Sequence, residues 1–417
     1  MKHRGRLVIL PIALACCSIA YQCAYADKVP LPLGKLINTH QVTCPPGAAP
    51  GAVCTYAVVT GCKDANGNPL QDLGVTMAVT QPQLSPGQKP RGTIVLQSGG
   101  PGASFYDGLG GCLDATQCVN GVPTTDTQGF SAYFVKQGFT TVDLKWDGGP
   151  NGAATGPGWQ LGNQGVLHFA CRPATVFNEI YKNPQAHVKG TPYCGMGSSG
   201  GSAALGYALA YYGNTVPHHE HQTQEALFDF VNLTNGPATA RIDVLCAPKQ
   251  AYNNQPITNC GVTSYANPSL VPPGVTAPVY TFPPGVGPFN SWEGTTTCNT
   301  GNASQADINT WARDGNVSTG PLAYQAVWEY PHTNVAFYFC GSPINNVSLA
   351  MGWFLTQKIQ PLNGSNGGLA SVNCFTQCTN EAIYKDPNAV AQTESDMLKY
   401  CVLNHDVDEG EGEGQDH

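Results

Sequence analysis

The chain has 417 residues, 41% hydrophobic and only 11% charged, with a formal net charge of −8. An acidic chain repels phosphate backbones, which counts against nucleic acid as a partner. Residues 1–26 read as a secretory signal: Lys2, Arg4 and Arg6, an apolar run from Leu7 to Ala20, and the small-x-small site Ala24-Tyr-Ala26. The run is too short to span a bilayer with margin, and no later segment is long and apolar enough, so no membrane span is expected. Losing the three leader cations takes the net charge from −8 to −11. Three of 17 cysteines leave with the leader. The other 14, scattered and without CxxC pairs, read as disulfides of a secreted (extracellular or periplasmic) protein. Expected pairs are Cys112 with Cys118, Cys171 with Cys194, and Cys374 or Cys378 with Cys401.

The remaining length suits one large α/β domain with insertions, or two ordinary domains. From residue 27 to 90, short β-type runs (Thr55–Thr60, Val75–Thr80) alternate with turn signals, and Asn66-Gly67 marks a hairpin. This is the antiparallel lead-in of a mixed sheet. Buried-type strands follow at Thr93–Gln97, Gly138–Leu144, Pro192–Gly195, Phe228–Leu233 and Val335–Phe339. An apolar helix spans Ser202–Tyr212 and stops at Gly213. Strands alternating with helices predict βαβ units, a mostly parallel central sheet flanked by helices, and a single domain over 27–405. Residues 247–297, rich in Pro, Asn, Gly and Thr, read as a loop-rich cap or lid insertion. Residues 406–417 carry six carboxylates among glycines and read as a disordered tail.

The strongest motif is Gly195-Met-Gly-Ser-Ser-Gly-Gly201, which fits G-x-S-x-G around Ser199. A nucleophile on a sharp strand-to-helix turn needs small residues two before and two after it, because neighbouring backbone passes close. The preceding strand and following helix supply that context. The Gly200 N–H would sit at the helix N-terminus, suited to stabilising an oxyanion. The same letters fit a dinucleotide fingerprint. That motif opens a first βαβ unit, however, and wants an acid ending the next strand, where this chain has Glu220 in a His-rich stretch. No cofactor is therefore expected. A second motif, Ser98-Gly-Gly-Pro-Gly102, follows a strand about 100 residues upstream. Pro101 has no N–H, so Gly100 and Gly102 are the candidate partners of Gly200 in an oxyanion hole.

On these residues the chain resembles the α/β-hydrolases. Gly99-Gly-Pro-Gly102 resembles the loop of the proline iminopeptidase and tripeptidyl-aminopeptidase branch. The resemblance, over residues 55–401, implies the α/β-hydrolase fold, Ser199 as nucleophile, and a small ester or peptide substrate. Ala170-Cys-Arg-Pro-Ala-Thr175, Gly236-Pro237 and Cys401 look like a secreted, disulfide-bearing offshoot.

Two positions depart from the family pattern. The acid is expected after the strand at Val335–Phe339, yet Gly341-Ser-Pro-Ile-Asn-Asn346 offers Asn345 and Asn346. No Asp or Glu occurs between Glu329 and Glu381. The histidine is expected before the last helix, where Asn380 stands. An amide cannot take a proton near neutral pH, so Asn380 cannot replace an imidazole as general base. Substitute bases are His405, after the last helix, and His332, before the fifth of those buried strands. Asp243, after the fourth, is the substitute acid. His218-His219-Glu220-His221 lacks the i, i+4 spacing of a zinc site, so no metal is expected. Two functions stay open: a secreted serine hydrolase, and a catalytically inactive hydrolase fold with a binding or structural role. The oligomeric state is not legible.

Overall fold

The computed structural model describes residues 31–100, 102–106, 118–119, 122–123, 129–147, 158–213, 227–234, 257–259, 262–264, 304–315, 330, 333–340, 370–375 and 386–403. The leader, the acidic tail and most of 247–297 lie outside them. Within 247–297, Ile257–Asn259 and Val262–Ser264 pair as an antiparallel ribbon.

Nine strands form one mixed sheet. They are β1 (Lys35–Val42), β2 (Val53–Thr60), β3 (Leu73–Thr80), β4 (Thr93–Gln97), β5 (Thr140–Trp146), β6 (Tyr193–Ser198), β7 (Phe230–Thr234), β8 (Asn334–Cys340) and β9 (Ala370–Phe375). The spatial order is β1-β2-β3-β5-β4-β6-β7-β8-β9. The first three strands run antiparallel to their neighbours. From β5 to β9 every pairing is parallel. The expected α/β class, antiparallel lead-in and parallel centre are all present.

The Asn66-Gly67 signal marks the tip of the β2–β3 connection. There the Asp64 carboxylate accepts the Asn66 and Asn68 N–H groups, each at 2.8 Å. Lys63 and Pro69 bridge just outside it.

Among the described residues, the helices longer than one turn are α1 (Phe130–Lys136), α2 (Cys171–Lys182), α3 (Gly200–Tyr211), α4 (Gln305–Asp314) and α5 (Pro387–Tyr400). All twelve residues of α3 are buried. Helices apolar all round belong in a core, and α3 packs with α2 against Val95, Val142, Val231 and Phe337. Ile94, Leu96, Met196 and Ala336 point to the other face, where α1 and α5 cover them. This alternation is the period-2 geometry of strands buried on both sides. Helix α4 carries a capping box between Ser304 and Asp307. Asp386 caps α5, accepting the Asn388 N–H at 2.9 Å, with Pro387 in the first turn.

Disulfides join Cys44 to Cys54, Cys62 to Cys171 and Cys194 to Cys401. The expected pairs Cys171–Cys194 and Cys374/Cys378–Cys401 are therefore wrong. The reason is the alternation of faces. Cys194 lies among the residues on the α5 side, whereas Cys171 opens α2 on the opposite side, beside the end of β2. Cys374 is disulfide-bonded too, but not to Cys401. Cys112 lies outside the described residues. The last two bridges close stretches of 109 and 207 residues, the range in which cross-linking removes the most unfolded-chain entropy, about 4–5 kcal/mol each in the loop-closure account. Such bridges fit an oxidising compartment. No helix among the described residues is long and apolar enough to cross a membrane.

At the end of the sheet remote from Ser199, His187 is buried between the rings of Tyr181 and Tyr193, at 4.7 and 5.2 Å. Its Nδ1 bonds the Thr93 hydroxyl at 3.2 Å. Burial holds its pKa down to about 4, against the opposing pull of Asp229. The fold therefore favours neutral His187, while the unfolded chain takes a proton near pH 6.5. Stability from this residue is complete above pH 6.5, falls as the pH drops, and is gone below about 4. The shift corresponds to about 3 kcal/mol. His187→Gln, which does not titrate, is expected to flatten the stability-against-pH curve between pH 6.5 and 4, measured by urea unfolding. Parallel curves for variant and wild type would show that protonating His187 costs nothing.

Candidate active site

Strand β6 ends at Ser198 and α3 begins at Gly200, so Ser199 is the whole of the turn between them. It adopts φ 51°, ψ −117°, a backbone conformation L-residues rarely take. Its N–H donates to the Thr234 carbonyl at 2.8 Å, and its own carbonyl accepts the Ser202 N–H at 3.0 Å and the Ser202 hydroxyl at 2.7 Å. These bonds hold the strained turn from both sides.

The glycines around it follow from close approach. A Cβ on Gly197 would stand 2.5 Å from the Gly201 carbonyl, and one on Gly201 would stand 2.0 Å from the Gln97 carbonyl at the end of β4. A Cβ on Gly200 would stand 2.0 Å from the Gly100 carbonyl. The first turn of α3 thus lies directly on the loop that leaves β4, and only glycine leaves room. The Gly200 N–H is one of the amides that a helix start leaves outside its own ladder.

The loop after β4 is fastened at several points. The Ser98 hydroxyl donates to the Ser104 carbonyl at 2.5 Å. Trp146, at the end of β5, donates its backbone N–H to the Gly102 carbonyl at 2.8 Å and its indole N–H to Oε1 of buried Gln97 at 3.1 Å. Gly102 donates its own N–H to the Gly99 carbonyl at 3.1 Å. Gln160 donates to the Gly100 carbonyl at 3.2 Å. Asp143 of β5 accepts the Tyr106 N–H at 2.9 Å. The sequence motif from Gln97 to Ser104 contains the glycines of this loop and Gln97, to which it assigns no role, but not Trp146 or Gln160. Gln97 was legible as a buried polar strand end. Gln160 has no local signature.

The expected site residues divide into two groups. Ser199, Gly200, Gly100 and Gly102 lie together at the C-terminal ends of β4 and β6. His332, His405, Asp243, Asn345, Asn346 and Asn380 lie outside the described residues. The described histidines are engaged elsewhere. His40 bonds the Asn38 carbonyl at 2.7 Å, and His187 sits at the far end of the sheet. His168, in the short helix Val166–Phe169, is buried, and burial lowers its pKa.

Register shows which segments emerge beside Ser199. Ser198 pairs with Thr234, Thr234 with Tyr338, and Cys340 with Phe375. The chain therefore leaves β7, β8 and β9 at the same end as Ser199. The last residues of β8 and β9, Cys340 and Phe375, lie about 10–14 Å across the sheet from it, at 4.8 Å per strand. The start of β8 is at the other end: Asn334 pairs with Phe230, and Phe230 with Cys194, five residues or about 16 Å below Ser199. Cys401, bonded to Cys194 with Cα atoms 5.9 Å apart, also lies at that level. The segments that follow the C-terminal ends of the strands around Ser199 are 98–129, 147–165, 235–303, 341–369 and 376–385. None of them contains a histidine.

Elbow strain has a measurable consequence. Ser199→Gly, which relaxes a positive φ, is expected to be more stable than Ser199→Ala by about 1 kcal/mol in urea unfolding. Gly201→Ala is expected to cost more than about 2 kcal/mol, because its methyl meets the β4 backbone rather than a movable side chain. Equal stability of the two Ser199 variants would show that the turn carries no strain.

A scan against protein-family models finds no match for this chain, and a search of curated proteins finds none. Solved structures give distant likenesses. Acylaminoacyl peptidase of Pyrococcus horikoshii matches at 11% identity and TM-score 0.43, over 90% of this chain and 50% of that one. Candida antarctica lipase A in its closed state matches at 11% and 0.42, over 85% and 79%. A bacterial heroin esterase matches at 12% and 0.38, over 94% and 90%. The chain spans about half the length of the acylaminoacyl peptidases it matches. The α/β-hydrolase fold of this chain rests on its own strand order and its strand–turn–helix junction at Ser199.

Proposed function

We propose that the protein is a secreted hydrolase of small ester or peptide substrates, with Ser199 as nucleophile and the Gly200 and Gly100 amides as oxyanion donors. One observation carries the reading: Ser199 is held at φ 51°, ψ −117° on the turn between β6 and α3. Backbone strain of about 1–3 kcal/mol persists only where surrounding structure over-determines it, and such strain at a strand-to-helix turn is how a nucleophile elbow presents its serine. Gly102 is a poorer donor than Gly100, because its N–H is spent on the Gly99 carbonyl.

In this reading the Ser199 oxygen bonds to the carbonyl carbon, and its proton passes to a base. The tetrahedral oxyanion faces the two glycine amides. Its collapse releases the alcohol or amine, and water then frees the acyl group from Ser199 as a carboxylic acid. None of the segments that directly follow the strand ends at Ser199 holds a histidine, which counts against an imidazole base. Nor does His332 suit the part, as Thr333, the residue after it, directly precedes β8, whose start lies at the far end of the sheet. His405 follows Cys401 by four residues and would have to cross about 16 Å from the Cys194 level. This shortage favours the second reading, in which the elbow binds a carbonyl or carboxylate ligand without turning it over.

A fluorophosphonate probe decides between them. Attack by the Ser199 oxygen on phosphorus expels fluoride, and the hydroxyl proton leaves to base or solvent. Labelling of the folded wild type within minutes, and none of Ser199→Ala, is the expected result. An unlabelled, folded wild type would overturn the enzyme reading and leave the binding one.

A further inference from the structure

Beyond the serine and its glycines, one buried side chain touches the site without belonging to the motif. Gln160 ends the one-turn helix Gly158–Gln160 and is 6% exposed. Its Nε2 donates to the Gly100 carbonyl at 3.2 Å. The same nitrogen lies 2.9 Å from the point where a Cβ on Gly200 would stand, and the Gly100 oxygen lies 2.0 Å from that point. Gln160, the Gly100 peptide and the first residue of α3 thus converge at the elbow.

Gly100 needs such a hold. It has φ +56°, and no atom of the described residues lies within 4 Å of where its own Cβ would be, so on that side the described residues do not hold it. The Gly100 N–H belongs to the peptide shared with Gly99, whose carbonyl accepts the Gly102 N–H at 3.1 Å, and the Gly100 carbonyl belongs to the next peptide, which Gln160 holds; both planes must stay in place for the N–H to keep its aim. Oxyanion stabilisation depends on donors fixed before the charge develops.

Gln160 is itself rigidly placed. Arg172 donates to the carbonyls of both its neighbours, Trp159 and Leu161, at 2.9 Å each, and to the Gln71 carbonyl at 2.9 Å. The guanidinium is buried, and burial lowers its pKa to about 10. The preceding residue, Cys171, is bonded to Cys62. A continuous support therefore runs from the disulfide through Arg172 to the turn at 158–161, and through Gln160 to Gly100.

We infer that Gln160 is the positioning residue of the oxyanion loop, fixing the Gly100 peptide against the N-terminus of α3. This rests on Ser199 being the nucleophile. Two variants keep the side chain's length. Gln160→Met removes the donor, and Gln160→Glu sets an anion against the Gly100 carbonyl at neutral pH. The measurement is the second-order rate of Ser199 phosphonylation by a fluorophosphonate, with thermal midpoints recorded alongside. With p-nitrophenyl acetate as a generic ester, kcat and KM are separated.

The expected order is wild type, then Met about tenfold slower, then Glu slower still, with kcat falling and KM nearly unchanged. A role in packing alone would leave Met equal to wild type, because its shape is retained. Equal rates in a labelled wild type and the Met variant would overturn the role of Gln160 while leaving Ser199 as nucleophile. A wild type that does not label would overturn both. Should one variant fail to fold, seen as a lost thermal transition, the other gives the same comparison.

Discussion

The approach of α3 to the end of β4 is the constraint on which the rest of the structure depends. Gly201 lies against the Gln97 carbonyl and Gly200 against the Gly100 carbonyl, closer than any side chain would permit. That contact fixes how far α3 sinks into the sheet. The helix can sink so far because it is apolar all round and begins with small residues, Gly200 to Ala204. Its burial then sets the position of α2 beside it and of the Tyr207 hydroxyl, which donates to the Asp314 carbonyl at the end of α4 at 2.6 Å. Helix, sheet and site share one origin in four glycines and a serine.

Much of this was legible because local and global signals agree there. A G-x-S-x-G between a strand and an apolar helix admits few other backbones, and Ser199 has the geometry the motif implies. The five buried strands from β4 to β8 were legible for a similar reason: both faces are covered, so the residues are apolar without alternation. The edge strands β1 and β9 were not. β1 is exposed along most of its length and irregular between Ile37 and His40, with Asn38 at φ 54°. A strand that buries little carries little pattern.

The disulfides show where local reading fails altogether. Cys171 and Cys194 are near in sequence and sit on opposite faces of the sheet. Cys194 and Cys401 are 207 residues apart and adjacent in space. Only the parity of β6 decides this, since Tyr193 and Gly195 point one way and Cys194 the other. Gln160 was hidden for a related reason. Its role depends on Arg172, which comes twelve residues later in the chain and reaches back to the carbonyls on either side of it. Supports assembled across elements leave no periodicity to read.

The site joins a well-built half to a half whose sequence departs from the α/β-hydrolase pattern. The serine, its strained turn and the fastened loop are fixed by packing, so they persist wherever α3 meets β4 in this way. A general base is different: it is expected on the segments that follow the strand ends, where the sequence has Asn345, Asn346 and Asn380. Register also restricts the remedy, because a base must come from a segment that emerges beside Ser199. Across those segments the sequence offers carboxylates, lysines, an arginine, tyrosines and cysteines, and no imidazole. A proton passed from the Ser199 hydroxyl to a carboxylate or amine would need that group's pKa shifted toward neutrality, and a shift of that size requires a buried, water-poor setting. The same setting would strengthen the attraction of the fixed amides for a developing oxyanion, so one act of enclosure would serve both the base and the oxyanion hole.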